Sequence, residues 1–263
     1  NTIPFIARYR KEMHGAMDDT ALRTLADRLE YLRNLQERRE TVKNSIEEQG
    51  KMTDEISAAI DNAQTITEVD DIYRPFRPHR KTRASVAKEK GLEPLAELIL
   101  AEEDSYEPCL EEIAESYINE ELKVASAEEA LAGACDIIAE SVSDNADYRK
   151  TVRKVTFDTG FIITKGATEE DSVYSQYYDY SDKINKIPSH RVLAINRGEK
   201  EDFLKVSISV EKEMILNYLC SEMITCLKSP AVKYIEAAVV DSYDRLIAPS
   251  IEREIRNDLF DNA

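Results

Sequence analysis

The sequence lacks several features that would assign a class at once. It contains no tryptophan, only seven glycines among 263 residues, and no apolar run of the roughly 20 residues that a membrane-spanning helix needs. Its four cysteines, Cys109, Cys135, Cys220 and Cys226, do not have the CxxC spacing of a zinc site or a redox motif. These absences predict a globular, cytoplasmic chain with reduced thiols, no bound metal and no contact with a membrane.

Catalytic motifs are also missing. GxxxxGK[ST], GxGxxG, HExxH and GxSxG do not occur, and the three histidines are far apart in the sequence. Ser189 and His190 are adjacent, and adjacent residues of a helix do not face one another, so they do not suggest a nucleophile and its base. The sequence therefore predicts no enzyme and no cofactor.

Acidic residues are concentrated in one segment of a chain whose formal net charge is -17. Residues 101–150 hold 15 acidic and 3 basic side chains, whereas residues 1–100 hold 18 and 17. A net charge this negative argues against nonspecific binding of a polyanion over the whole surface of the protein. The near-neutral first hundred residues still allow a local basic patch.

Helical patterns cover most of the sequence. Apolar residues recur at intervals of three and four from Leu22 through Leu25, Leu29, Leu32 and Leu35 to Ile46, which predicts one amphipathic helix over 18–50. Shorter helices are predicted over 53–62, 66–73, 82–90, 94–103, 106–119, 126–142 and 144–158, the first, second and third capped by Thr53, Thr67 and Thr82. Helices resume from Glu211, and Pro249 predicts a kink in the last of them.

Two segments have the pattern of strands. "GFIITKG" (160–166) is β-branched and bounded by glycines, and "DFLKVSISV" (202–210) alternates, so the two are expected to pair. The predicted fold is mainly α, a multi-helix scaffold with long helices and at most one small two-stranded β element. The chain is expected to form two lobes, 1–125 and 126–263, or one continuous module. It is also expected to be part of a longer protein, since it begins with Asn1 rather than Met.

The segment "IYRPFRPHRKTRA" (72–84), called the basic segment below, carries five arginines and lysines and no acid. Pro75 and Pro78 exclude a regular helix and favour extended backbone at the residues before them, and the helix start near Thr82 favours an anion. Candidate phosphate-binding residues are Arg74, Arg77, His79, Arg80, Lys81 and Arg83, beside Tyr73 and Phe76. The alternative is that these cations pair with Glu68, Asp70, Asp71 or the acidic 101–121 region.

A second candidate stretch is "YYDYSDKINKIPSHRVLAINRGEKE" (177–201). Ser189 is the expected N-cap of a helix that ends at Gly198, and positive charge at His190 and Arg191 would oppose the helix dipole unless an anion compensates it. Lys186, His190, Arg191 and Arg197 are therefore candidate nucleic-acid-binding residues. Asp179 and Asp182 are alternative partners within the protein, and the neighbouring tyrosines are either a stacking platform or ordinary packing.

Taken together, "PFIARYRKE", "DDTALRTLADRLEYLRNLQERRE", "DDIYRPFRPHRKTRA", "GLEPLAE", "KIPSHRVLAINRGEKE" and "IEREIRNDL" resemble the bacterial Tex family of transcription accessory proteins. The resemblance implies a mostly helical N-terminal scaffold of a protein that binds RNA or DNA, without an established enzymatic activity. In full-length members, an RNase-H-like domain, a helix-hairpin-helix region and an OB-type RNA-binding domain are expected to follow.

Two functions fit the sequence and this resemblance. In the first, the chain contributes a basic surface to nucleic-acid binding, together with domains outside it. In the second, it is a protein-interaction scaffold that docks onto its own later domains, onto RNA polymerase or onto transcription factors, without touching nucleic acid.

Overall fold

The computed structural model describes residues 2–13, 15, 17–77, 81–106 and 109–263. In this part of the chain the fold is mainly α with one small antiparallel sheet, as predicted. The chain divides into two compact units, residues 1–77 and 78–263. The core of the second unit contains residues on both sides of position 125, where the sequence suggested a boundary.

The first unit is built on one long helix. Its helices are α1 (Ile3–Tyr9), α2 (Asp19–Glu48), α3 (Asp54–Asn62) and α4 (Ile66–Tyr73). Asp18 caps α2 through a hydrogen bond from the Ala21 amide. The second short helix, α4, is capped by Thr65 and not by Thr67, because Thr65 is the residue that has extended backbone before the first helical turn.

The apolar stripe of α2 is buried over only part of its length. Leu35, Val42 and Ile46 pack with Ile60 and Val69 in the core of this unit. Leu25, Leu29 and Leu32, which the periodicity assigned to the same buried stripe, are each at least 44% exposed. Periodicity identifies one face of a helix, but it does not show how far along that face a partner extends.

The second unit packs helices around α8, which spans Ala127–Asp144. Before the sheet it contains α5 (Arg83–Glu89), α6 (Glu93–Leu100), α7 (Leu110–Glu115), α8 and α9 (Ala146–Thr159). After the sheet begins, it contains α10 (Ser189–Lys200), α11 (Lys212–Met223), α12 (Val232–Asp241) and α13 (Ala248–Asp261). A π-helical turn, Ser242–Ile247, joins α12 to α13. It interrupts the regular helix just before Pro249, where the ring removes a backbone donor.

The sheet has three strands: β1 (Phe161–Gly166), β2 (Asp179–Lys183) and β3 (Leu204–Ser209) in the order β2-β1-β3. The predicted pairing of β1 with β3 is confirmed, with Phe161 opposite Ser209. The sequence did not indicate β2, because "DYSDK" is short and polar and lies at the edge of the sheet. One face of the sheet packs Ile162, Leu204 and Val206 against Ile195 of α10.

Gly198 lies within α10 and does not end it, contrary to the prediction. A Cβ at this position would lie 2.7 Å from Leu204 Cδ1 and 3.0 Å from Tyr174 Cδ1. The glycine therefore allows β3 and Tyr174 to approach the helix closely. Its role is packing, and α10 continues to Lys200.

Candidate nucleic-acid interface

The first part of the basic segment continues directly from α4. Arg74, Pro75 and Phe76 form a 3₁₀ turn, and Arg74 has helical backbone (φ -53°, ψ -46°). The prediction of extended backbone at Arg74 is therefore wrong, because Pro75 occupies the first turn of this short helix, where its missing N–H is not needed. At Arg77 the predicted extended backbone is present (φ -64°, ψ 138°).

Two guanidinium groups share one carboxylate in the first unit. Arg38 donates from Nε and Nη2 to Asp70 Oδ1, at 2.8 and 2.6 Å, and Arg77 Nη2 lies 3.3 Å from the same oxygen. Both guanidinium groups also contact the ring of Tyr73, with Cζ to centroid distances of 5.8 and 5.6 Å. Asp70 thus holds two guanidinium groups against the ring of Tyr73 at the end of α4.

Ser45 fixes the aromatic centre of this cluster. Its hydroxyl and that of Tyr73 are 2.8 Å apart, and the amide of Gln49 donates to the carbonyl of Phe76 at 2.9 Å. The first contact comes from α2 and the second from Gln49, which follows its last residue, so the end of the long helix orients the start of the basic segment. Arg74, the remaining predicted cation of this unit, is half-buried.

In the second unit, the helix start near Thr82 is not open to an anion in the way predicted. Thr82 Oγ1 accepts from the Ser85 amide at 3.0 Å, and Ser85 Oγ accepts from the Thr82 amide at 2.8 Å. This capping box satisfies two of the donors that a phosphate would have used. Lys81 Nζ lies 3.5 Å from Glu89 Oε2, in a pair whose side chains are both exposed.

Arg83 lies on a shallow groove of about 380 Å³ that is also lined by Lys90, Glu129 and Asp136. Lys90 Nζ contacts Glu129 Oε1 at 2.6 Å, and this hydrogen bond lowers the pKa of the Glu129 carboxyl. Burial raises the pKa of Asp136, while the positive charges of Arg245 and Arg83 oppose that shift. Arg83 is exposed and makes no ion pair with the described residues.

The second candidate stretch forms β2 and the start of α10. Arg191 donates from Nη1 to the Tyr180 hydroxyl at 2.8 Å, and that hydroxyl donates to Asp182 Oδ2 at 2.8 Å. The hydrogen bond to Tyr180 raises the pKa of Arg191, and burial raises the pKa of Tyr180. Asp182, one of the two acids considered from the sequence, is therefore the internal partner of Arg191, at 3.5 Å.

The remaining cations of this stretch are exposed. Arg197 Nε lies 3.4 Å from Glu201 Oε1, in a pair with little burial. Lys186 and His190 are exposed and form no ion pair in the part of the chain that the structure describes. Ser189 is the first helical residue, and Pro188 takes the N-cap position expected for it. Tyr174 and Tyr177 are buried, so they pack and do not form a stacking platform.

Nine of the ten predicted binding residues fall into three groups, and the tenth, Arg74, is half-buried. Arg77, Lys81, Arg191 and Arg197 have acidic partners, and Arg83, Lys186 and His190 are exposed without an ion pair among the described residues. His79 and Arg80 lie outside the described residues, and a nucleic-acid role for the whole set stays a prediction. Sequence reasoning missed Arg38, because it is 32 residues from Asp70 and no local pattern links the two.

Metal sites and membrane-spanning helices are absent from the described residues. No group of three His, Cys, Asp or Glu side chains there has the arrangement of a metal site. None of the helices there is long and apolar enough to span a bilayer. The four cysteines are free thiols, and burial raises the pKa of Cys135 to about 11, so this thiol is protonated at neutral pH.

Comparison with known proteins places these features in a family. The family described as Tex central region-like matches residues 105–263, and the Tex-like protein N-terminal domain matches residues 1–47. The whole chain is 45% identical to the uncharacterized protein YdcI of Bacillus subtilis, of which it covers 37%.

Two further relatives have more informative names. Over 81% of the chain, it is 41% identical to the transcriptional accessory protein Tex of Neisseria gonorrhoeae, covering 28% of that protein. Over its full length, it is 27% identical to the human S1 RNA-binding domain-containing protein 1, again covering 28%. The chain thus spans well under half the length of these relatives, and with matches to both family regions it belongs to the Tex family.

Proposed function

We propose that this chain is a helical scaffold of a cytoplasmic transcription accessory protein and contributes a basic surface to the binding of RNA or DNA. Family membership supports the association with transcription, and the names of the Neisseria and human relatives support a nucleic-acid partner. The whole protein would combine this scaffold with further domains.

One observation carries the binding part of this proposal. Arg38 and Arg77 lie against a single carboxylate, that of Asp70, beside the ring of Tyr73. Arginine is well suited to phosphate because its planar guanidinium offers several donors in a fixed geometry. Guanidinium groups next to an aromatic ring are the combination that binds a phosphate and a neighbouring base.

The salt dependence of binding tests this proposal. Affinity of the 263-residue chain for a labelled 20-nucleotide single strand is measured by fluorescence anisotropy between 50 and 200 mM salt. Each lost phosphate contact reduces the slope of log K against log salt by about 0.7 for a single strand. The triple variant Arg77→Ala, Arg80→Ala, Lys81→Ala should therefore show a slope reduced by about 2.

A matched control removes the same charge elsewhere. Lys51, Lys154 and Lys228 are exposed and lie outside the basic segment. Their triple alanine variant should bind with nearly the wild-type slope. If the two triple variants behave alike, the basic segment has no particular part in binding.

The internal ion pairs favour a second candidate function. Arg191 with Asp182 and Lys81 with Glu89 show that part of the positive charge is compensated within the chain. In this case the chain is an interaction scaffold for its own later domains, for RNA polymerase or for transcription factors. Crosslinks from Lys81 or Lys88 to protein, with none to nucleic acid, would support it.

A further inference from the structure

One face of the small sheet is open to solvent. Along β1, Ile162 and Thr164 point into the protein and are fully buried, whereas Phe161 and Lys165 are exposed and Ile163 is half-buried. The register partners of these outward residues on β3 are Ser209, Ser207 and Lys205. We call this surface, with its continuation onto β2, the open face.

On β2 the open face continues with Lys183, Ser181 and Asp179, which lie opposite Phe161, Ile163 and Lys165. All three are exposed. Three lysines therefore face one aspartate, a surplus of two positive charges on a chain whose net charge is -17. No ion pair joins any of these lysines to another described residue.

The two lysines at one end of the open face are placed unfavourably for stability. Lys165 and Lys205 are direct partners across β1 and β3. Like charges directly opposite each other on a sheet repel. Asp179, the β2 partner of Lys165, offsets one of these two charges. A polyanion on the open face would compensate the other.

The other end carries an aromatic ring. Phe161 is 39% exposed, and Lys183 Nζ lies 5.8 Å from the centre of its ring. From Phe161 to Lys165 the strand advances about 13 Å, at roughly 3.3 Å per residue. The open face thus offers one stacking position, with Lys183 beside it and two lysines at the other end, over a length that fits a few nucleotides.

We infer that the open face of the sheet, centred on Phe161, Lys165 and Lys205, binds single-stranded nucleic acid by stacking a base on Phe161 and holding phosphates with its lysines. This inference rests on the proposed association with nucleic acid, but it uses a different surface from the basic segment. Sheets that present aromatic rings to unstacked bases are an established way to read single strands. Serine hydroxyls between the lysines add donors and acceptors at little steric cost.

A protein partner fits the open face less well. Lysine and serine are depleted at the centres of protein interfaces, whereas surfaces that bind nucleic acid are polar and positive. Addition of a peptide strand at the edge of β3 is also hindered. Glu252 of α13 accepts from the Ile208 amide at 3.1 Å, and Arg256 donates to the Val206 carbonyl at 3.2 Å.

The test uses the 263-residue chain and a labelled 20-nucleotide RNA of mixed sequence. Phe161→Leu keeps an apolar side chain but removes the stacking ring, and it should weaken binding about fivefold or more. Lys165→Gln and Lys205→Gln should each reduce the salt slope by about 0.7, and Lys228→Gln, a control outside the sheet, should not. Lys205→Glu should weaken binding while raising Tm by about 1–3 °C, because it replaces a repulsive pair with an attractive one.

Other outcomes overturn the inference. If the wild-type chain does not bind the RNA, or if a duplex of the same length competes as well as the single strand, the open face does not hold unstacked bases. If only the variant of the basic segment loses affinity, the proposed function stands and the role of the open face fails. If Phe161→Leu binds like wild type while the lysine variants lose RNA and polyglutamate equally, the surface takes an acidic peptide.

Discussion

Arg77 Nη2 lies 3.3 Å from Asp70 Oδ1, the same oxygen to which Arg38 donates at 2.6 and 2.8 Å. Arg38 thus makes the tighter contact, and Arg77 makes the longer one. A phosphate that approaches the basic segment competes more easily for Arg77 than for Arg38. Asp70 therefore limits how strongly the basic segment attracts an anion.

Asp70→Asn should strengthen binding of a single-stranded oligonucleotide by about 1.5- to 5-fold, because it releases Arg77 from an ion pair and surface ion pairs contribute roughly 0.2–1 kcal/mol. Anisotropy titration at 50 mM salt measures the change. Asp61→Asn is the matched control, because Asp61 is an exposed aspartate that pairs with Lys43 at 2.7 Å in the same unit. An equal gain in both variants would show an effect of net charge alone and would remove Asp70 from the account.

A buried arginine joins α9 to α13. Arg149 is fully buried and donates to Glu254 Oε1 at 2.6 Å and to Ser250 Oγ at 2.9 Å, while Arg153 donates to Glu254 Oε2 at 2.7 Å. Burial acts to raise the pKa of Glu254, but the hydrogen bond from Arg153 and the charges of Arg149 and Arg153 outweigh it, so the pKa lies below its ordinary value. Glu254 thus holds two guanidinium groups against α13.

Glu254→Gln should destabilise the chain by on the order of 3 kcal/mol, because it removes a negative charge that a fully buried guanidinium contacts. A carboxyl with a lowered pKa in the folded state contributes stability above its unfolded pKa and loses it as the pH falls through the folded value. The difference from wild type in urea unfolding should therefore be constant well above pH 4.5 and shrink below it. Asp261→Asn, on the exposed end of the same helix, should show neither effect.

Glu102 is a second acid with a structural role. Its carboxylate accepts from the amides of Thr225 and Cys226, at 2.9 and 2.8 Å, and from the Thr225 hydroxyl at 3.2 Å, and the side chain is buried. These contacts hold the segment that follows α11.

Glu102→Ala should cost about 2 kcal/mol in the free energy of unfolding, since the amides of Thr225 and Cys226 lose their acceptors. Glu103→Ala, the exposed neighbour, should stay within about 0.5 kcal/mol of wild type. Thermal or urea unfolding of both variants checks the difference. Equal effects would mean that the cost lies in the backbone at this position and not in the carboxylate.

Local signals predicted the elements well. The extent of α2 and the strand patterns of β1 and β3 each follow from residues within a few positions of each other. Thr67 and Ser189 were each placed at an N-cap that a neighbouring residue occupies, because boundary signals are accurate only to a few residues. The edge strand β2 was missed because its polar residues give no alternating pattern.

The candidate sites depend on contacts that the sequence does not contain locally. The alternation of "FIITK" with "KVSIS" indicates which residues face outward, but not that helices cover one face of the sheet and leave the other open. The acidic partners of Arg77 and Arg191 can be identified only when the positions of α2, α4 and β2 in the structure are known. From the sequence, each of these arginines could either pair with an acid of the protein or bind a phosphate. The structure identifies the acid that lies near each of them.

The salt dependence of single-strand binding by the 263-residue chain tests the central claim most directly. With a mixed 20-nucleotide RNA, the affinity should fall steeply with salt, with a slope of about -0.7 for each phosphate held by the basic segment and the open face. A chain that contributes a basic surface must show this dependence in spite of its net negative charge. No detectable binding at 50 mM salt, or an affinity that salt does not change, would contradict the account.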